Sequence, residues 1–337
     1  MLRIIPFTCF ILLTVLATSC FKEDDLISPH VPGNYITDTI PLTDTYKYQV
    51  FYSLSDSNAV GTHLKDNWDL GFEALPLGWR VILNSSCFMK SAYLNGQQFG
   101  SAVDTAGAVW QFNPSDGTAD SLAIGNWFTV TGSDTVGLNR LLVIDRGIVF
   151  NGNPRGFCQL VVDRLTNGIY YFRIAELNGS NPRSFSIAKN QNVNHVLFSI
   201  SNPSTVISEP LRSSWDLQFT QYTTLLYTDA GAPYPYLVTG VLINPLIVEV
   251  AVDSLTPFSN VDFELAQKMD FSKNSDRIGY HWKRYDFDAG SYTVNPDIVY
   301  VVRDTKGFLY KFRFIGFYKF RNNKLEKGYP SFEYQKL

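Results

Sequence analysis

The sequence predicts an all-β fold: antiparallel, sandwich-like sheets arranged as two related β units in tandem. Three observations carry this. From Tyr46 onward, apolar residues recur with a period of two rather than 3.6. Turn formers are dense, with 23 Gly and 16 Pro in 337 residues, and no apolar stripe is sustained over three helical turns. Finally, two short motifs each occur twice, in the same order and at similar separation.

The chain opens on Arg3, an apolar run from Ile4 to Ala17, and the small residues Ala17, Thr18 and Ser19 before Cys20. The run is too short to cross a hydrocarbon core of ~30 Å, so it reads as a secretory signal. Small residues directly before a Cys are where a lipoprotein signal is cut. The expectation is therefore a signal peptide over 1–19 and lipidation of Cys20; an ordinary signal peptide that contains a Cys is the alternative. Several acyl chains on one Cys would anchor the protein stably to a membrane. Phe21-Lys22-Glu23-Asp24-Asp25 resembles the surface-export signals of Bacteroidota-type lipoproteins, or is simply a solvated stretch. With Pro29, Pro32, Gly33 and Pro41, residues 20–45 read as the lipidated Cys and a tether.

Strands follow. Trp68, Leu70 and Phe72 share one face. Tyr310-Lys311-Phe312-Arg313-Phe314 alternates likewise, with both cations on the opposite face. Val299 to Val302 is a β-branched run leading to the turn Asp304-Thr305-Lys306-Gly307. Strand–turn–strand patterns also fit Leu160 to Arg173, around Thr166-Asn167-Gly168, and Tyr236 to Ile243. Trp68-Asp69-Leu70-x-Phe72 recurs as Trp215-Asp216-Leu217-x-Phe219, and Tyr170-x-Phe172-Arg173 as Tyr310-x-Phe312-Arg313. Physically, the Trp and Phe belong on a core face and the Asp bonds backbone where the strand enters its sheet. Ser201-Asn202-Pro203-Ser204 and Glu209-Pro210 break the pattern, which divides the chain into units at 46–204 and 205–337.

Chemistry is sparse. With 28 Lys and Arg against 31 Asp and Glu, the formal charge is −3. No basic cluster is present, so a nucleic-acid partner is not expected. No nucleophile elbow, zinc-protease helix, phosphate loop or dinucleotide fingerprint occurs, and an enzyme is not expected. Cys87 and Cys158 would form either a bridge or two buried thiols. The remaining soft ligands are His30, His63, His195, His281, Met89 and Met269, with His281 and Met269 in loop-like surroundings. Tyr227 to Tyr236 would be an aromatic rim or a well-packed loop, and packing is the preferred reading.

Three stretches carry a family resemblance: Trp215-Asp216-Leu217-Gln218-Phe219-Thr220-Gln221-Tyr222, Val301 to Gly307 with Tyr310 to Phe314, and Lys327-Gly328-Tyr329-Pro330-Ser331-Phe332-Glu333-Tyr334. Through them the second half resembles the HmuY-like family of haem-binding surface lipoproteins of Bacteroidota; the first half looks like a diverged relative. The resemblance implies an all-β fold, outer-membrane lipidation and haem held by two axial His or Met side chains. One axial position carries over between Trp282 and Tyr292, near Tyr285 or Asp286, where this chain has neither residue type. His281 is the nearest candidate, Tyr285 is another because haem iron accepts Tyr, and Met269 follows by exclusion. The function so implied is a lipid-anchored, cell-surface protein of the outer membrane. It would bind haem or another small hydrophobic ligand and pass it to an outer-membrane transporter. The alternative is a structural or interaction lipoprotein that keeps the fold without a haem site.

Overall fold

Strand Val299–Arg303 shows how the sequence builds the sheets. Its β-branched run is buried on both faces: Tyr300 and Val302 join one core, Val299 and Val301 another. The structure is a computed structural model that describes residues 31–131, 134–206, 209–321 and 323–337; Cys20 and the signal segment lie outside them. Among the described residues the regular elements are almost all antiparallel strands, and the helices are of a single turn.

Two sheets enclose the largest core. A five-stranded sheet runs Tyr35–Thr39, Lys324–Lys336, Leu309–Arg321, Val299–Arg303, Glu249–Asp253. Facing it, a four-stranded sheet runs Pro233–Ile243, Leu217–Tyr227, Tyr48–Ser53, Asn58–Leu64. Tyr52, Phe219, Phe312, Phe314 and Phe332 fill the space between, and Trp282 stacks on Phe314 with ring centres 3.9 Å apart. A second core, with Phe72, Trp127, Tyr170, Phe172 and Phe198, lies between strands spanning residues 70–206. One of its sheets contains Phe157–Thr166, Ile169–Glu176 and Arg183–Ala188; the other runs Ser204–Val206, His195–Ser199, Leu70–Glu73, Val81–Leu83.

The repeated Asp performs the bonding expected of it, across strands far apart in sequence. Asp69 Oδ2 accepts from Ile200 N at 2.7 Å, and Asp216 Oδ2 accepts from Leu54 N at 2.8 Å. A repeated Asn completes the motif: Asn84 donates to Trp68 O at 2.9 Å, and Asn244 to Trp215 O at 3.0 Å. The donors Leu54 and Ile200 themselves lie in a further echo, Val50-Phe51-Tyr52-Ser53-Leu54-Ser55 against Val196-Leu197-Phe198-Ser199-Ile200-Ser201. These two strands are exchanged. Tyr48–Ser53 pairs with Leu217–Tyr227, and His195–Ser199 pairs with Leu70–Glu73. The leading strand of each repeat thus completes the sheet that holds the other repeat's Trp-Asp-Leu strand.

Several expectations change in detail. The expected tether, 20–45, carries the edge strand Tyr35–Thr39, paired with the C-terminal strand from Tyr35↔Gln335 to Thr39↔Ser331. Tyr236 to Ile243 is one uninterrupted part of Pro233–Ile243 rather than strand–turn–strand. Asn167 and Gly168 do form a tight turn, with φ of 51° and 74°. Behind Phe312, the opposite face meets a third small core around Phe258 and Val261. Lys311 is buried there, donating to Val261 O at 3.1 Å beside the rings of Tyr35 and Phe258. Cys87 and Cys158 are free, buried thiols, each pushed up to about 12 by burial and so held protonated.

Candidate ligand-binding site

The hairpin Leu217–Tyr227/Pro233–Ile243 pairs residue by residue to Tyr227↔Pro233. Its inner half is core, whereas its outer end has nothing to bury against. Tyr227, Tyr234 and Tyr236 are 66%, 39% and 52% exposed. Tyr234 and Tyr236, two apart on one face with ring centres 6.4 Å apart, form an aromatic rim, while Tyr227, paired with Pro233, stands on the other face; the packed loop preferred on sequence grounds is not what the chain builds.

A second segment is fixed beside this hairpin. Gly279 exchanges two backbone hydrogen bonds with Val241, at 2.9 and 3.0 Å. The approach is so close that a Cβ on Gly240 would collide with the Gly279 carbonyl, which is why a residue without one stands there. Trp282 then drives into the core, its indole donating to Gly279 O at 3.2 Å. Lys283 is also buried, donates to Thr239 O, and lies 4.5, 5.0 and 5.5 Å from the ring centres of Trp282, Phe317 and Tyr292. Burial pulls its ammonium down to about 7.

With Trp282 and Lys283 anchored, the strand Lys283–Asp286 and its partner Ser291–Val294 turn the next side chains outward. Tyr285 is 40% exposed, with its ring 5.0 Å from Tyr292 and 5.1 Å from Phe287. Phe287 is 88% exposed. His281 is exposed and rests on Tyr280, ring centres 4.1 Å apart. The two segments form one surface: Tyr234 helps raise the pKa of Tyr280, and Tyr236 that of Tyr292, in each case after the larger effect of burial. The result is an aromatic lip with one imidazole and several phenols; Arg284, paired with Thr293, is exposed on the other face of this two-stranded ribbon.

Of the three residues selected from sequence, His281 and Tyr285 belong to this lip. Met269 does not. It packs with Leu265 and Phe271 on the third core, against the face of the five-stranded sheet that carries Val299 and Val301. Tyr292, the ring beneath Tyr285, packs against the first core on the other face. A thioether on the far side of the sheet cannot share one ligand with Tyr285, and elimination on residue type alone had no means of seeing this. The rings of Tyr234 and Tyr236 were visible in the sequence, but their exposure was not, because period two says which face a residue is on and not whether that face is covered. His195 sits 3.8 Å from Glu209, and His30 lies outside the described residues. Among the described residues no group of three or more His, Cys, Asp or Glu side chains could hold a metal ion, and no helix is long and apolar enough to cross a membrane.

Comparison with known proteins agrees with the resemblance read from the sequence. No curated protein shows significant similarity to the chain. Among solved structures, one similar chain is a candidate HmuY-like haem-binding protein from Bacteroides vulgatus ATCC 8482, at 13% identity and a TM-score of 0.16, covering 52% of this chain and 90% of that one. The HmuY protein family model matches residues 45–334, nearly the whole of the described fold. The chain belongs to the HmuY family.

Proposed function

We propose that the protein is a lipid-anchored surface protein of the outer membrane that captures haem on its aromatic lip and passes it to an outer-membrane transporter. Membership of the HmuY family supports haem as the ligand class. The observation that carries the placement is the cluster of exposed rings, Tyr234, Tyr236, Tyr285 and Phe287, standing beside an exposed imidazole at His281.

Haem is a flat, largely apolar macrocycle with two propionates, and its iron takes an imidazole nitrogen or a phenolate oxygen. The lip offers contacts for the ring and the iron. Tyr and Phe faces supply apolar area, and His281 or Tyr285 an axial atom. Lys283 and Trp282 hold the segment in place from below. Because Met269 lies across the sheet, we assign one axial side chain from the lip rather than a His–Met pair.

Hemin added to the chain trimmed to residues 26–337 should give a saturable, red-shifted Soret band. Substituting the true axial residue, by His281→Ala or Tyr285→Phe, should weaken the titration about tenfold or more, the effect of losing about 1.4 kcal/mol. A titration with no saturable band would instead favour the second reading, an interaction lipoprotein that keeps the fold alone. The lack of a second His or Met at the lip is the observation on that side.

A further inference from the structure

Strands Leu309–Arg321 and Lys324–Lys336 outrun their neighbours in the five-stranded sheet. Val299–Arg303 pairs with the first only from Leu309 to Phe312, and Tyr35–Thr39 with the second only from Ser331 to Gln335. The last four pairs are Tyr318↔Lys327, Lys319↔Glu326, Phe320↔Leu325 and Arg321↔Lys324. Among the described residues no third strand joins them, so they form a free two-stranded ribbon, and Asn323, at φ 59°, stands in its turn.

Residues directly opposite share a face, and successive pairs alternate between faces. Phe320 and Leu325 form one such pair, 70% and 64% exposed. On the other face Arg321 stands directly opposite Lys324, with Lys319 two residues behind, and like charges so placed repel. Lys319, Arg321, Lys324 and Lys327 are all exposed, and among the described residues none of the four forms a salt bridge. Glu326, the acid of the ribbon, accepts from Tyr329 Oη at 3.4 Å. Asp44 and Lys47, from the segment packed beside Gly328, add one charge of each sign. Lys319 and Arg321 also form one side of a groove of about 600 Å³ that faces Tyr48, Val50 and Thr62, and no acidic side chain lines it. In the sequence these four cations are interrupted by Phe320, Leu325 and Glu326 and do not read as a basic cluster; the hairpin gathers them, in a chain whose formal charge is −3.

We propose that this ribbon is a membrane-docking element for a bilayer that bears anionic lipid. Entering end-on, it places Phe320 and Leu325 at the boundary between headgroups and acyl chains. The long stems of Lys319, Arg321, Lys324 and Lys327 let their charges stay at the lipid phosphates. Shape favours lipid over an acidic protein: the ribbon offers eight residues, against about 20–30 per side in a stable protein interface. Its apolar pair also stands at a projecting end, where headgroups can close around it. Attachment of this kind is reversible and salt-sensitive, unlike an acyl anchor. It requires neither haem at the lip nor a lipid on Cys20.

The chain trimmed to residues 26–337 has no Cys20 to acylate, so it tests the ribbon alone. It should co-sediment saturably with vesicles of phosphatidylcholine and phosphatidylglycerol, and at least about tenfold more weakly with phosphatidylcholine only. Arg321→Gln with Lys324→Gln should weaken binding about tenfold or more, because each cation near an anionic surface contributes roughly fivefold. Phe320→Ser with Leu325→Ser should weaken it by about tenfold as well. All four side chains are exposed, so neither double variant should unfold the chain, which circular dichroism checks. Equal binding to the two vesicle types, binding to neither, or full binding by the Arg321→Gln, Lys324→Gln variant would overturn the proposal. Loss of binding in Phe287→Ser, with retention in the Phe320→Ser, Leu325→Ser variant, would also overturn it, by placing the lipid on the lip.

Discussion

Two aspartates that look alike in the sequence sit in opposite electrostatic settings. Asp69 is met by Arg146 and Arg155, each at 2.9 Å. Asp216 has no such ion pair among the described residues; it is held by the amides of Leu54 and Thr305, both at 2.8 Å, and burial raises its pKa. Asp216→Ala should cost about 2–4 kcal/mol by orphaning two buried donors, read as a lower urea midpoint. Asp69→Ala should cost more, because it leaves two guanidinium groups uncompensated. Equal midpoints for the two variants would contradict this. Lys283 sets the pH dependence. Burial lowers its pKa from 10.5 to about 7, so across that window the unfolded chain binds one proton more than the folded chain. Stability should therefore rise with pH between about 7 and 9, by up to about 1.4 kcal/mol per pH unit; above 9 the unfolded chain gives up the protons of Cys87 and Cys158, which burial retains in the folded chain, and the rise is offset. Lys283→Met should flatten that rise in thermal unfolding followed against pH. The Asp role was legible because the Asp stands directly before Leu and Phe at period two, where the strand enters its sheet. The Lys283 environment was not, since its three rings come from Trp282, Tyr292 and Phe317, and no local pattern brings them together.

At the level of elements, the sequence correctly indicated strands and their repetition, because alternation and turn chemistry are local. Which strand pairs with which is not local. A boundary near 205 follows from the break at Ser201 to Ser204, yet Tyr48–Ser53 pairs with Leu217–Tyr227 and Tyr35–Thr39 with Lys324–Lys336. The Val50–Ser55 and Val196–Ser201 echo marks these two strands as equivalent, but their exchanged partners are not written in either segment. A fragment of residues 205–337 lacks both N-terminal partners, so it uncovers Phe219 and Phe332 and leaves two sheet edges unpaired. It should show no cooperative unfolding by circular dichroism and should self-associate on a sizing column. Addition of a peptide covering residues 31–66 should restore cooperativity. A fragment that melts cooperatively by itself would mean that 205–337 folds independently and that the exchanged strands contribute little.

For the molecule as a whole, the proposed capture of haem at the lip is tied to the proposed lipid anchor. The tether is shorter than the sequence suggested, since the edge strand starts at Tyr35. A lipid on Cys20 would leave residues 21–32 before Gly33, whose N–H donates to Lys336 O and whose carbonyl accepts from Gln335 Nε2, both at 2.8 Å. Two or more acyl chains would make the attachment effectively permanent, because each buried methylene adds about 0.8 kcal/mol. Cys20→Ala should therefore move the protein from the membrane pellet to the supernatant after cell lysis. It should leave the hemin titration unchanged, since the lip is built from residues 225–292 and owes nothing to the anchor. Retention of the Cys20→Ala protein in the pellet would mean that something other than a lipid on Cys20 holds it there. A weakened hemin titration would mean that the N-terminal segment takes part in the site, and that capture and anchoring are not separate functions.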